Sequence, residues 1–281
     1  MPLAPVIALS HGGGPLPLLG DPDHKTIVYS LQHRVPKILS LATSPPKAII
    51  LVTAHWSTAA PTISAGARHE LLYDYGGFPK EAYEVKYPAP GHPQVAQQIA
   101  AAFEREGLTG VQLDPTRPWD HGVFVPMKIT RPEADVPIVQ ISVLQDEDPA
   151  RHLRMGRALH ALRADNIAIV GSGFASFHNL RTMMAMRGGR SAEKEQVIGY
   201  SRAWNKALTD VVTGEHVWRG LEGWRALPYA DMMHPPRGGE HFMPLIVCAG
   251  AKAPEEKAKW YVDEYLGVDI YTYYWGGEEI E

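Results

Sequence analysis

The sequence has almost no cysteine. Its 281 residues include one, Cys248, which excludes an internal disulfide and a Cys-rich metal site and suits a reducing compartment, so a cytoplasmic location is expected. Charge of one sign is also missing. The 27 Lys and Arg against 31 Asp and Glu give a formal −4, and without a basic tail or patch no nucleic-acid partner is expected. No apolar run approaches the roughly 18 residues that span a bilayer, so no membrane partner is expected. The apolar start, Met1 to Ser10, has no basic residue ahead of it and fails as a signal peptide.

Three common catalytic signatures are absent too. His11-Gly12-Gly13-Gly14 matches the oxyanion loop of some esterases, but no G-x-S-x-G elbow accompanies it. Ser172, in Gly171-Ser172-Gly173-Phe174-Ala175, has the wrong offset and reads as a turn residue. H-E-x-x-H is missing, which removes the usual zinc-peptidase helix. Gly171-Ser172-Gly173 continues to Ser176 and not to glycine, which argues against a dinucleotide site.

Histidine is what the chain has in quantity: 13, beside 24 Pro and 26 Gly. It is the commonest metal ligand and the usual acid/base side chain near neutral pH. Apolar runs at 5–9, 47–53, 136–143 and 166–170 read as buried strands. Between them, 24–43, 94–106 and 149–164 read as helices, the first kinked or split at Pro36. Residues 194–212 and 242–251 read as further helices, and the aromatic tail at 271–275 as a terminal strand. This order predicts an α/β fold with three layers, α/β/α, around a central, mostly parallel mixed sheet. No repeat, low-complexity tract or linker appears, so residues 1–281 are read as a single catalytic domain.

The histidines fall in a pattern. His11, His55 and His178 each follow a predicted strand, and in open α/β sheets the ligand site forms outside the carboxyl ends of the strands. His121 and His241 lie in Gly/Pro-rich loops. Together they point to metal or acid/base chemistry. His24, His33, His69, His92, His152, His160, His216 and His234 read as surface or partly packed residues, and Asp120 as a loop cap. The aromatic stretch from Tyr73 to Tyr87, interrupted by Gly76-Gly77, reads as a loop packed on the core or as a lid that excludes water.

Several motifs, in order along the chain, carry a resemblance. They are Leu9-Ser10-His11-Gly12-Gly13-Gly14-Pro15, Thr53-Ala54-His55-Trp56, Tyr73-Asp74-Tyr75-Gly76-Gly77-Phe78-Pro79 and Tyr87-Pro88-Ala89-Pro90-Gly91. Trp119-Asp120-His121-Gly122, Val139-Gln140-Ile141-Ser142, Gly171-Ser172-Gly173 with His178-Asn179-Leu180, and Glu240-His241-Phe242-Met243-Pro244 continue the series. With them the chain resembles the class III extradiol ring-cleavage dioxygenases, the LigB-like family, most closely its DOPA 4,5-dioxygenase subgroup. One departure is that many relatives read His-Gly-Ser-Pro where this chain has His11-Gly12-Gly13-Gly14-Pro15.

The resemblance implies a single α/β domain, a non-haem Fe(II) cofactor and cleavage of a catechol by O2, with the small-molecule catechol as partner and a monomer or homodimer as the assembly. It implies His11, His55 and His241 as metal ligands, His178 as the acid/base residue and His121 as a second histidine at the substrate. Glu240 is the reserve ligand, expected to point away from its neighbour His241. Tyr75, Phe78 and Arg237 are the expected substrate contacts. Zn(II) also suits three histidines and binds such ligands tightly. A zinc hydrolase on the same fold, or a non-catalytic binding protein, are therefore the alternatives.

Overall fold

The computed structural model describes residues 3–188 and 191–280. The strands are β1 (Val6–Ser10), β2 (Ala48–Thr58), β3 (Thr62–Ser64), β4 (Gln112–Asp114), β5 (Ile138–Leu144), β6 (Ile167–Gly173), β7 (Lys259–Tyr265) and β8 (Val268–Trp275). They form one mixed sheet in the order β4-β3-β5-β2-β6-β1-β8-β7. The central four, β5-β2-β6-β1, pair in parallel, while β3 pairs antiparallel with β5, and β8 with β1 and β7. Every residue of β1, β5 and β6 is buried. Covered on both faces, these strands are continuous apolar runs and not alternating ones.

The α-helices among the described residues are α1 (Lys25–Ile38), α2 (Pro93–Arg105), α3 (His121–Thr130), α4 (Pro149–His160), α5 (Leu180–Arg187), α6 (Ser191–Thr213), α7 (Val217–Glu222), α8 (Ala230–Met233) and α9 (Met243–Gly250). α2, α4 and α9 pack in a row on one face of the sheet; α1 and α3 pack together on the other. This is the α/β/α architecture the sequence predicts. Among the described residues no helix is long and apolar enough to cross a membrane.

Local readings need correcting at several points. α1 runs unbroken through Pro36 and ends two residues later at Ile38, so the proline stops the helix where it was expected to split it. The Gly171-Ser172-Gly173 turn is strand: β6 pairs with β1 through Gly173 and places Ser172 in the core. The terminal strand β8 has an unforeseen hairpin partner, β7. His55 lies inside β2 and not after it. Pairing with β5 jumps from Thr53↔Ser142 to Ser57↔Val143, so residues 54–56 bulge out of the ladder. Bulges of this kind re-aim side chains next to functional sites.

Candidate metal centre

Five histidines, from strands, loops and a helix start, meet at the carboxyl end of the parallel strands. His11 follows the last residue of β1, and its backbone N–H donates to the Gly173 carbonyl at the end of β6 (3.4 Å). His55 sits on the β2 bulge, where its N–H donates to Thr53 Oγ1 (3.1 Å). His121 opens α3, and His178 lies on the loop between β6 and α5. His241 precedes α9 and is drawn against β6 by Phe174 N–H, which donates to its carbonyl (2.9 Å). A Cβ on Gly173 would lie 2.3 Å from that carbonyl, so this approach needs glycine.

Three imidazoles converge. His11 Nε2 and His55 Nε2 are 3.2 Å apart, and His55 Nε2 and His241 Nε2 are also 3.2 Å apart. Ligand atoms of His11, His55 and His121 all lie within 4.8 Å of one another, as do those of His178, Glu240 and His241. The two groups meet at the His55–His241 contact. The His178 ring stacks on that of His241, 3.3 Å between centroids. His121 and His55 are 3.8 Å apart by the same measure.

Side chains behind the cluster take up the other ring nitrogens. His11 Nδ1 lies 3.0 Å from Ser172 Oγ. The single Ser172 proton goes to the Gly122 carbonyl, so Ser172 accepts from His11 Nδ1–H and the bare nitrogen of His11 is Nε2. His241 Nδ1 lies 2.8 Å from Glu240 Oε1. His121 Nδ1 lies 2.7 Å, and His55 Nδ1 3.5 Å, from the two oxygens of Asp74.

Burial lowers His11 and His241 well below the ordinary imidazole value, with the neighbouring histidines adding to it. Burial, then His121, brings His55 down to about 3. His178 falls to about 4 for the same two reasons. All four are neutral at pH 7, and neutral imidazole is the form that binds a metal. Burial works to raise the Asp74 carboxyl, but hydrogen bonds from His121 and the nearby imidazoles bring it below its usual value.

Residues 6–271 match the family described as the catalytic LigB subunit of aromatic ring-opening dioxygenase. The chain belongs to the LigB family. It is 70% identical over 286 residues to the dioxygenase tasH of Hapsidospora irregularis, covering 100% of this chain and 88% of that one. It is 32% identical over 251 residues to the 4,5-DOPA dioxygenase extradiol of Beta vulgaris, covering 89% and 88%. The crystal structure of an uncharacterised Escherichia coli K12 protein superposes with a TM-score of 0.70 at 26% identity, covering 97% of this chain and 100% of that one. The chain is an enzyme, an oxidoreductase of the extradiol ring-cleavage type.

In this LigB-family chain, the five histidines singled out in the sequence are in one cluster. Tyr75 packs on the His121 ring (5.8 Å between centroids) and on Phe78 (5.6 Å). Phe78 lies over the glycine loop: a Cβ on Gly14 would be 3.6 Å from its ring. Arg237 is exposed, and among the described residues its side chain makes no hydrogen bond or ion pair with the cluster.

Glu240 does not point away from the centre, because it reaches back to His241 and lies 3.7 Å from His178 Nδ1. Asp120 is the N-cap residue of α3, but its side chain caps nothing; it is fully buried between Thr53 Oγ1 (2.7 Å), Gln140 Nε2 (2.6 Å) and Arg117 Nη2 (3.2 Å). His24, His152 and His234, read as surface or partly packed residues, are instead fully buried. Sequence reasoning missed Asp74 and Ser172 as partners of the cluster. The available signal for Asp74 was a lone carboxylate between Tyr73 and Tyr75; for Ser172 it was a hydroxyl just past an apolar run, near the end of the strand that pairs with β1.

Proposed function

We propose that this protein is an Fe(II)-dependent extradiol dioxygenase that opens a catechol ring, with His11, His55 and His241 as the iron ligands. The carrying observation is the convergence of three desolvated Nε2 atoms. His11 Nε2 and His241 Nε2, each left bare by the partner at its Nδ1, both face His55 Nε2, which carries at most one proton and can satisfy only one of them; a cation at the point of convergence serves all three. Imidazole nitrogens bonded to one ion at about 2.0–2.1 Å stand about 3 Å apart at right angles and about 3.4 Å apart at tetrahedral angles. The separations of 3.2 Å fit between these. Each ring also has an oxygen near Nδ1, the usual second partner of a ligating histidine. Glu240 is engaged with His241 Nδ1, so it supports a ligand and does not replace one.

Fe(II), when bound, supplies open positions and a redox centre through which a catechol and triplet O2 react. The side chains do the remaining work. His178, neutral and stacked on His241, takes a proton from a catechol hydroxyl and returns it as the ring opens. His121 faces the same space and holds the substrate. Tyr75 and Phe78 provide an aromatic wall that fits a flat ring and excludes water. Arg237 is the rim residue for a substrate carboxylate. The substrate class we infer is a DOPA-like or caffeate-like catechol, taken by a cytoplasmic monomer or homodimer.

The test is metal replacement. Stripped protein reloaded with Fe(II) under anaerobic conditions should consume O2 and form yellow ring-opened products from at least one of DOPA, caffeate, protocatechuate or catechol. The zinc-loaded protein should be inert. Iron-loaded protein that turns over none of them, with a hydrolytic activity under Zn(II), overturns the reading in favour of a zinc hydrolase.

A further inference from the structure

Asp74 is a carboxylate on the aromatic loop, remote in sequence from every histidine it touches. Its Oδ1 faces two donors of one residue, the His121 backbone N–H at 3.0 Å and the His121 ring Nδ1 at 2.7 Å. Its Oδ2 lies 3.5 Å from His55 Nδ1. The residues on either side dock on the same helix start: the Tyr73 ring packs on Phe124 at 5.8 Å and the Tyr75 ring on His121.

The rest of the loop is braced by itself. Tyr73 donates to the Val85 carbonyl (2.7 Å) and Tyr75 to the Ala82 carbonyl (2.6 Å). Among the described residues, Asp74 makes the only hydrogen bonds that leave the segment 73–89 for the rest of the protein.

We propose that Asp74 is a positioning residue that fixes His121 with Nδ1 protonated and Nε2 bare toward the cluster, and pins the aromatic loop to the start of α3. The acceptor decides the tautomer. A carboxylate has no proton to give at neutral pH, so the nitrogen facing it must carry the hydrogen. In the neutral ring the other nitrogen is then left as an acceptor. The same contact joins two events, because a loop lifted from α3 also releases the imidazole. This is the orienting role that a buried carboxylate plays toward a histidine in hydrolase triads, here supplied by a covering segment and not by the sheet. Its consequence for turnover rests on the dioxygenase reading; the tautomer and the loop docking do not.

The experiment uses zinc-loaded wild type, Asp74→Ala and Asp74→Asn, with ring 15N spectra assigned to His121 by a His121→Gln control. Wild type should show protonated Nδ1 and bare Nε2. Asp74→Ala should keep its zinc, show mixed His121 tautomers, and exchange amides 73–80 about ten-fold faster, as expected for a segment that opens locally. Asp74→Asn should rescue both signals, because the His121 backbone N–H selects the amide oxygen and keeps an acceptor at Nδ1. Under Fe(II), Asp74→Ala should lower kcat/KM by about 100-fold, because the substrate-holding His121 and the aromatic wall are loosened together. An Asp74→Ala protein with unchanged His121 spectra and loop exchange overturns the proposal, as does an Asn variant that rescues neither. These signals need no catechol, so an inert iron-loaded wild type counts against the dioxygenase and not against Asp74.

Discussion

His152 and His234 are as deeply buried as His11 and His241, and burial depresses all four imidazoles. What differs is where the nitrogens point. His152 Nε2 accepts from the Leu144 backbone N–H (2.9 Å) and its Nδ1 donates to the Asp148 carbonyl (2.7 Å). His234 donates from Nε2 to the Ala175 carbonyl (3.0 Å), inside a wall of Trp204, Trp224 and Phe242. His152 gives both nitrogens to the backbone, and His234 gives one, its buried Nδ1 having no partner among the described residues. His11 and His241 instead give Nδ1 to side chains and turn Nε2 toward a third imidazole. Neutrality and burial are therefore common to structural and functional histidines here. The discriminating feature is a bare Nε2 aimed at the nitrogen of another imidazole.

The sharpest way to break this comparison is to delete one residue from each set. His55→Ala should lose nearly all bound metal, read by elemental analysis, while its thermal unfolding changes little. His152→Ala should keep its metal and lose stability, because the buried Leu144 N–H is left unpaired at about 1–3 kcal/mol, while the Asp148 carbonyl keeps the backbone N–H of residue 152. A His55→Ala protein with stoichiometric metal would remove the centre proposed here. The second largest effect belongs to His178. His178→Gln should retain metal and turn over at least roughly 100-fold more slowly, with the loss in kcat and not in KM. Loss of its metal would make His178 a ligand and displace His241.

The five site histidines were legible because each follows an apolar run or lies in a Gly/Pro-rich loop, and the fold rule for parallel sheets says where such positions meet, even though His55 turns out to sit on a bulge inside β2. The parallel core was legible for a related reason: strands covered on both faces must be apolar throughout. What was hidden is whatever depends on three-dimensional neighbours. Ser172 read as a turn residue because Gly-Ser-Gly is a turn signature, yet those glycines are needed for α9 and His241 to approach β6 closely. Asp74 and His121 are 47 residues apart, and no local pattern ties them. Glu240 was expected to face away by the alternation of an extended chain, but the turn before α9 is not extended and the carboxylate curls back to its neighbour.

Ser172 offers a smaller and cleaner test. Ser172→Ala removes the acceptor at His11 Nδ1 and leaves His11 itself in place. Outer partners of a ligating histidine are typically worth 10–100-fold in metal affinity, and a loss of about that size is expected in a competition titration with a chelator. An unchanged affinity would mean that the Gly173 contact alone orients His11.

His24 should give the smallest effect, and it tests whether a backbone-bound histidine can still touch the site. Its Nε2 accepts from the Gly13 N–H (2.9 Å), and its Nδ1 faces Asp21, which also pairs with Arg187. It thereby holds the glycine loop that follows His11. Burial lowers His24 below its ordinary value, against the opposing pull of Asp21. A histidine whose folded pKa is depressed stabilises the fold fully above its unfolded pKa of about 6.5, and that contribution fades as pH falls below it. Protonation also replaces the acceptor at Gly13 with a second donor. Stability measured by denaturant unfolding should therefore drop between pH 7 and pH 5. Part of that drop, about 1 kcal/mol for one lost hydrogen bond, should vanish in His24→Gln, whose amide oxygen accepts from Gly13 at either pH. If wild type and His24→Gln lose stability in parallel over this range, the acid sensitivity belongs to the cluster histidines and not to the His24–Gly13 bond.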